Sequence, residues 1–344
     1  MAKTETKVNI MEYAKLGRSN MSVSKICLGT MHFGTRTPED ESYRIMDKAM
    51  EMGINFFDTA NVYGRDVSTG RTEEIIGNWF QQGNGRRDRT VLATKVYGNM
   101  MPSPPPNEEG GLSAYKVRKH AADSLKRLQT DHIDLYQVHH IDSRISLEEF
   151  WSTFDRLINK GDVLYMGTSN FSGWGLAKYQ MYAWQHGMMG FVSEQCQYNL
   201  LSRFPELEVF PAARDFGIGI IPYMPLAGGL LTGKQSADAG TRTKQVENEY
   251  NLDLTSNQQF KDFSALCREI GETEHVVATA WVLANPAVTS AIVGPRTVQH
   301  LDGLDRAAAL KLDPEQIMRL NKIFNINSGR QLKSDAEAPA AFAW

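Results

Sequence analysis

The chain has 344 residues, 42% of them hydrophobic, and a net charge of −3 from 37 Lys and Arg against 40 Asp and Glu. That is enough apolar material for one large α/β domain or two ordinary ones, and it excludes a globally disordered chain. No basic run exceeds "GRRDR" at 85–89, so no nucleic-acid footprint is expected, and an anionic ligand must be met by a few placed cations. Three widely spaced cysteines, Cys27, Cys196 and Cys267, form no CxxC pair and imply neither a zinc knuckle nor a disulfide framework. The opening "MAKTETKVNIMEYAK" lacks a signal-peptide core, and no apolar run is long enough to span a membrane, so a cytoplasmic location is expected.

In chain order, "YAKLGRSNMSVS" (13–24) reads as a small hairpin. Short apolar runs then recur at "KICLGT" (25–30), "INFFDT" (54–59), "TVLATK" (90–95) and "HIDLYQVH" (132–139). Four more follow at "VLYMGTS" (163–169), "GFVSEQ" (190–195), "IGIIPY" (218–223) and "TSAIVG" (289–294). Helical spacing fills the intervals, as at 39–53, 113–129 and 147–161, with Gly53 and Gly161 where helix C-caps belong. Runs this apolar fit parallel strands covered by helices. Eight such units in about 300 residues predict an α/β fold of the closed (β/α)8 TIM-barrel type, with the hairpin sealing its floor. The whole chain, 1–344, reads as a single domain with its core at about 12–325 and a C-terminal tail at 326–344. Two connections, 96–113 and about 233–256, are long and follow strands, which puts both on the face where barrel active sites lie.

The strand ends carry the chemistry. The second run ends in Asp58, the third in Lys95 and the fourth in His139 and His140, while Tyr63 opens the loop above the second. Each alone has an ordinary reading: a turn former, a snorkelling lysine, a packing aromatic. All four at one level of a barrel make a proton donor. A phenol with an ordinary pKa of about 10 is tuned by a neighbouring ammonium, which a carboxylate keeps charged and in place. A histidine beside them can orient a carbonyl oxygen or share the proton. Strand alternation sets His139 on the face of Leu135 and Gln137, and His140 on the opposite face with Tyr136 and Val138. Gln137 is ill suited to press against a covering helix, which favours His139 as the residue facing the barrel interior.

The segments "LGTMHFG" (28–34), "FFDTANVYG" (56–64), "ATK" (93–95), "DHIDLYQVHH" (131–140), "GTSNFS" (167–172), "QCQYNL" (195–200), "PYMPLAGGLLTGK" (222–234) and "GPRT" (294–297) occur in this order. Together they resemble the aldo-keto reductase superfamily across roughly 12–325. The resemblance implies a (β/α)8 barrel, an NADPH/NADP+ cofactor and a catalytic tetrad of Asp58, Tyr63, Lys95 and His139. In it Tyr63 is the general acid, Lys95 lowers its pKa, Asp58 anchors Lys95 and His139 orients the substrate carbonyl.

No GxGxxG opens a helix in this sequence, so a doubly wound dinucleotide fold is not expected. By the resemblance, Thr30 and Met31 lie near the nicotinamide, Ser169, Asn170 and Gln195 hold its carboxamide, and Tyr223 stacks on the ring. Pro225, Leu226 and Gly228 would embrace the pyrophosphate, with Lys234 as a nearby cation. Gly294, Arg296 and His300 fall at the far end of the cofactor, where Arg296, ahead of a helix N-terminus, is placed for an additional phosphate and points to NADP(H). Three positions in the cofactor region depart from the family pattern: His300 stands where glutamine is usual, Leu304 where asparagine is usual, and Met224 where serine is commoner. The substrate pocket is expected from His32, Tyr97 and His140, together with Met31 and the two long loops, and a small-molecule carbonyl is the expected partner. Such a pocket admits aldehydes, ketones and keto-sugars, and the resemblance implies sugar or polyketide-type ketones as substrates.

Two other readings differ in class. A barrel metallohydrolase would draw on His32, Asp58, His139 and His140, but no strand carries an HxH pair and Lys95 would set a cation beside the metal, so no metal is expected. A cofactor-binding sensor of the potassium-channel β-subunit type would keep the same site with little turnover. The four intact proton-transfer positions favour an enzyme.

Overall fold

The computed structural model describes residues 11–233 and 257–325. Lys234, nearly all of the 233–256 loop and the 326–344 tail lie outside the described residues. Strands β1 (Tyr13–Lys15) and β2 (Ser22–Ser24) pair antiparallel as the expected hairpin. Eight parallel strands follow: β3 (Ile26–Gly29), β4 (Phe56–Asp58), β5 (Val91–Val96), β6 (Ile133–Val138), β7 (Val163–Ser169), β8 (Phe191–Gln195), β9 (Gly219–Ile220) and β10 (Ala291–Val293). Their order, β10-β3-β4-β5-β6-β7-β8-β9, is that of an unrolled barrel. Ile220 bridges Val288, and the N–H groups of Thr289 and Ile292 donate to the carbonyls of Ile220 (2.8 Å) and Pro222 (2.9 Å), which closes the ring. β9 is shorter than the run at 218–223, partly because Pro222 has no N–H to contribute to a ladder.

The helices are α1 (Glu39–Glu51), α2 (Arg71–Gln81), α3 (Ala114–Leu128), α4 (Leu147–Lys160), α5 (Gly173–Gln185), α6 (Val209–Phe216), α7 (Gln258–Ile270), α8 (Glu274–Ala284), α9 (Leu304–Ala309) and α10 (Pro314–Ile323). Ser113 and Ser146 cap α3 and α4 by accepting the N–H of Lys116 and Glu149. Gly161 takes the left-handed C-cap of α4, as its position after the helix requires. No described helix is long and apolar enough to cross a membrane.

Alternation along the strands sorts the side chains. Phe57 packs outward with Ile45, Ile75 and Trp79 of the covering helices. Phe56, Ala93, Leu135, Cys27 and Ile292 point inward and form one layer of the barrel interior. Leu16, from the hairpin turn, is fully buried in this same layer, so the hairpin plugs the floor rather than lying on it. The inward phase of β4, β5 and β6 then carries Asp58, Lys95 and Gln137 to the opposite, C-terminal mouth.

Gly17 tests the plug. It sits at φ +52°, and a Cβ there would lie 2.2 Å from the Val192 carbonyl oxygen and 2.7 Å from the Gly219 nitrogen. Gly17→Ala is expected to destabilise the chain by about 2 kcal/mol or more, from overpacking and left-handed strain combined. Denaturant midpoints measure this, and an unshifted midpoint would contradict the packing of the hairpin into the floor.

Candidate active site

The register places the first two residues side by side. β4 and β5 align Asp58 with Ala93, and β5 and β6 align Lys95 with Gln137. Lys95 Nζ lies 2.6 Å from Asp58 Oδ2, with both side chains out of water. It also donates to the Thr59 carbonyl at 2.8 Å and to the Tyr63 hydroxyl at 3.2 Å. The three ammonium protons are thereby directed at a carboxylate, a carbonyl and a phenol. The second carboxylate oxygen of Asp58 accepts from Gln137 Nε2 (2.8 Å) and Gln195 Nε2 (2.9 Å). Removing either partner of a pair this deeply buried strands the other charge, at a cost of roughly 3–5 kcal/mol.

Tyr63 reaches the pair from the turn after β4, half-buried, with Lys95 Nζ 4.9 Å from the centre of its ring. Burial pushes its phenol up from the ordinary value of 10.0 while the Lys95 ammonium pulls it down, and burial wins. The expected lowering is thus real as the contribution of Lys95 but is outweighed, and Tyr63 is a protonated acid at neutral pH. Burial also opposes the charge on Lys95, but Asp58 and Tyr63 together raise it, so the ammonium is secure. His139 meets the Tyr63 ring edge-on at 6.1 Å, and burial, reinforced by Lys95, holds its imidazole well below 6.5, in the neutral form. Asp58, Tyr63, Lys95 and His139 therefore come together as the sequence predicted.

His140 departs from the strand-alternation expectation. Its ring stacks on that of His139 at 5.2 Å with 9° between the planes, instead of pointing to the opposite face. The reason is local: β6 ends at Val138, and past the last ladder bond alternation no longer dictates direction. Tyr97 then meets His140 edge-on at 5.3 Å, giving an aromatic wall of His139, His140 and Tyr97 beside the phenol. The preceding loop is tied back by Lys116, whose Nζ donates to the carbonyls of Tyr97 and Glu109, both at 2.6 Å. Met31 is 51% exposed at the mouth and His32 is half-buried near Gly294. Among the described residues no three His, Cys, Asp or Glu side chains group as a metal site.

The residues expected to hold a cofactor form a rim around this centre. Thr30 is fully buried and spends its hydroxyl on the Asp58 carbonyl (2.9 Å). Ser169 Oγ donates to the Gln195 carbonyl (3.0 Å) and accepts from Asn170 Nδ2 (3.1 Å). Asn170 Nδ2 also donates to the His139 carbonyl, and Asn170 Oδ1 accepts from the Tyr223 hydroxyl at 3.0 Å, which fixes the Tyr223 ring as a platform. Of the five described non-glycine residues with positive φ, three, Asn170, Met224 and Ala227, lie on this rim. With Gly228 (φ 68°) and Gly229 (φ 105°) they give the segment after Tyr223 the turned backbone of a ligand clamp. Pro225 is buried and Leu226 half-buried within it. Oxygen acceptors next to a fixed aromatic face, followed by a glycine turn, are a donor and acceptor set that suits a nicotinamide and its pyrophosphate.

At the far end Gly294 is exposed and Arg296 half-buried, with its N–H donating to His300 Nδ1 (3.1 Å). The turn that follows differs from expectation. The Val298 N–H is already taken by the Glu41 carboxylate (2.9 Å), so a phosphate here would be met by the Arg296 guanidinium and not by a helix N-terminus. Leu304 is 1% exposed and packs with Phe57 and Leu301, so at this position the chain has exchanged a polar contact for core. Gln137, which locks Asp58, was given no role by the sequence; its inward-facing amide on an apolar strand was the signal.

A model of the family described as "Aldo/keto reductase family" matches residues 25–325. The uncharacterized oxidoreductase YrpG of Bacillus subtilis is 50% identical over 97% of this chain and all of its own length. Versiconal hemiacetal acetate reductase of Aspergillus parasiticus is 32% identical over 91% of this chain and 96% of its own. A probable voltage-gated potassium channel subunit beta of Arabidopsis thaliana is 32% identical over 83% of this chain and 87% of its own. With eight parallel strands closed in order and Asp58, Tyr63, Lys95 and His139 gathered at their mouth, the chain belongs to the aldo/keto reductase family.

Proposed function

We propose that the protein is an NADPH-dependent carbonyl reductase in which Tyr63 is the general acid. The observation that carries this reading is the buried ammonium of Lys95 shared between Asp58 (2.6 Å) and the Tyr63 hydroxyl (3.2 Å). The rim residues would hold a nicotinamide nucleotide, which would supply the hydride. As negative charge grows on the carbonyl oxygen, Tyr63 gives up its proton, and the ammonium 3.2 Å away stabilises the phenolate left behind. Asp58, held by Gln137 and Gln195, keeps the ammonium protonated and in place beside the phenol. Neutral His139 orients the oxygen by hydrogen bonding without competing as an acid.

Ser169, Asn170 and Gln195 would hold the carboxamide, Tyr223 the ring face, and 225–229 the pyrophosphate, with Arg296 on an additional phosphate. The aromatic wall of His140 and Tyr97 admits a planar or ring-bearing carbonyl, with keto-sugars and polyketide-type ketones the classes it suits. The oxidoreductase name of the relative at 50% identity supports turnover over a sensor role.

Tyr63→Phe is expected to lower turnover by orders of magnitude while NADPH titration gives unchanged affinity; near-normal turnover would remove Tyr63 as the proton donor. The pH profile follows from the directions of the shifts. The acid works below the raised pKa of Tyr63 and the imidazole is neutral above the lowered pKa of His139. Reduction should therefore be flat from about pH 7 to about pH 9 and fall only beyond, as the phenol ionises. A loss centred near neutrality in steady-state rates would contradict the assignment. Arg296→Ala is expected to weaken NADPH about tenfold or more and NADH little, as loss of one charge-assisted contact does; binding titrations with equal losses for both would refute the phosphate contact.

A further inference from the structure

Glu194 is a fully buried carboxyl group that the proton-transfer set does not use. It follows Ser193 on β8 and points away from the barrel interior, on the opposite face from its neighbour Gln195. Its Oε1 accepts the Phe171 N–H at 3.1 Å, and its Oε2 lies 2.5 Å from Thr168 Oγ1, which in turn is 3.2 Å from the Ser193 carbonyl. The carboxyl thus grips both ends of the turn 168–171, whose middle residue, Asn170, is held at φ +61°. A left-handed non-glycine residue costs on its own, and it persists only where its surroundings impose it. Asn170 is also the residue that joins the His139 carbonyl to the Tyr223 hydroxyl.

Resting on the functional reading above, we infer that Glu194 is a positioning residue: from behind the sheet it clamps the Ser169–Asn170 turn in the shape that receives a nicotinamide carboxamide and aligns the Tyr223 platform. The donors and acceptors balance when the carboxyl is neutral. Glu194 O–H donates to Thr168 Oγ1, Thr168 O–H donates to the Ser193 carbonyl, and Oε1 is left to accept Phe171. Burial pushes this carboxyl up to about 8, in keeping with a neutral acid. A glutamine can reproduce each bond, with its N–H2 toward Thr168 and its carbonyl toward Phe171; an alanine can reproduce none.

The test uses the full chain carrying Glu194→Ala or Glu194→Gln, with thermal melting to establish folding. Amide hydrogen exchange is measured across 168–172 without nucleotide, and NADPH affinity by fluorescence titration. In Glu194→Ala, exchange at Asn170 and Phe171 should quicken and NADPH should bind about tenfold more weakly, while Glu194→Gln stays within about twofold of the parent on both. Exchange unchanged in a folded Glu194→Ala chain would overturn the clamp. So would a Glu194→Gln chain as impaired as the alanine variant. If the alanine variant does not fold, Thr168→Val, which removes the middle hydroxyl and keeps the shape, should give the same two changes in smaller measure, and no change would again overturn the proposal. A parent chain that bound no nicotinamide nucleotide would defeat the functional reading, and the exchange rates would still decide the clamp.

Discussion

One buried ammonium organises the mouth of this barrel. Lys95 Nζ is removed from water, and its charge is held by Asp58 at 2.6 Å and the Tyr63 hydroxyl at 3.2 Å, with the Thr59 carbonyl accepting a further hydrogen bond at 2.8 Å. Those partners in turn fix where β4 must end relative to β5, because one register step would turn Asp58 or Lys95 into the helical layer. The third proton of the ammonium points to the Tyr63 hydroxyl at 3.2 Å. Packing and electrostatics here are therefore one constraint: the cation that must be satisfied for the barrel to be stable is the cation that lies against the Tyr63 phenol.

The surroundings reinforce that arrangement from two sides. Inside the barrel, the amides of Gln137 and Gln195 saturate the far oxygen of Asp58 and touch each other at 3.1 Å, so the carboxylate cannot rotate away from Lys95. On the rim, Asn170 ties the carbonyl of His139 to the hydroxyl of Tyr223, so the histidine and the aromatic ring share one bridging side chain. Left-handed backbone at Asn170, Met224 and Ala227 lies on this rim, while the hairpin and core on the opposite side close the floor. The packed floor lies at one end of the barrel and the candidate site at the other.

Much of this was legible in the sequence because it is one-dimensional in origin. Apolar runs that end in Asp58, Lys95 and His139 announce strand ends at one level, and the parallel, helix-covered fold follows from runs without a solvent face. Gln137 betrayed the inward face of β6 as a polar residue in an apolar strand. Other features depend on three-dimensional surroundings. His140 escaped the alternation rule because the strand stops one residue before the histidine pair. The net direction of the Tyr63 shift needed the depth of burial, which a motif does not carry. Glu41 occupying the Val298 N–H and Leu304 sinking into the core are contacts between distant segments, 257 positions apart in the first case.

The most direct test of the account is whether the purified protein couples NADPH oxidation to carbonyl reduction, followed by absorbance with a panel of aldehydes, diketones and keto-sugars and with NADH alongside. The account predicts oxidation of NADPH that depends on added carbonyl and exceeds that of NADH. NADPH bound but never oxidised by any carbonyl would contradict the assignment of Tyr63, Lys95 and Asp58 as a working proton donor.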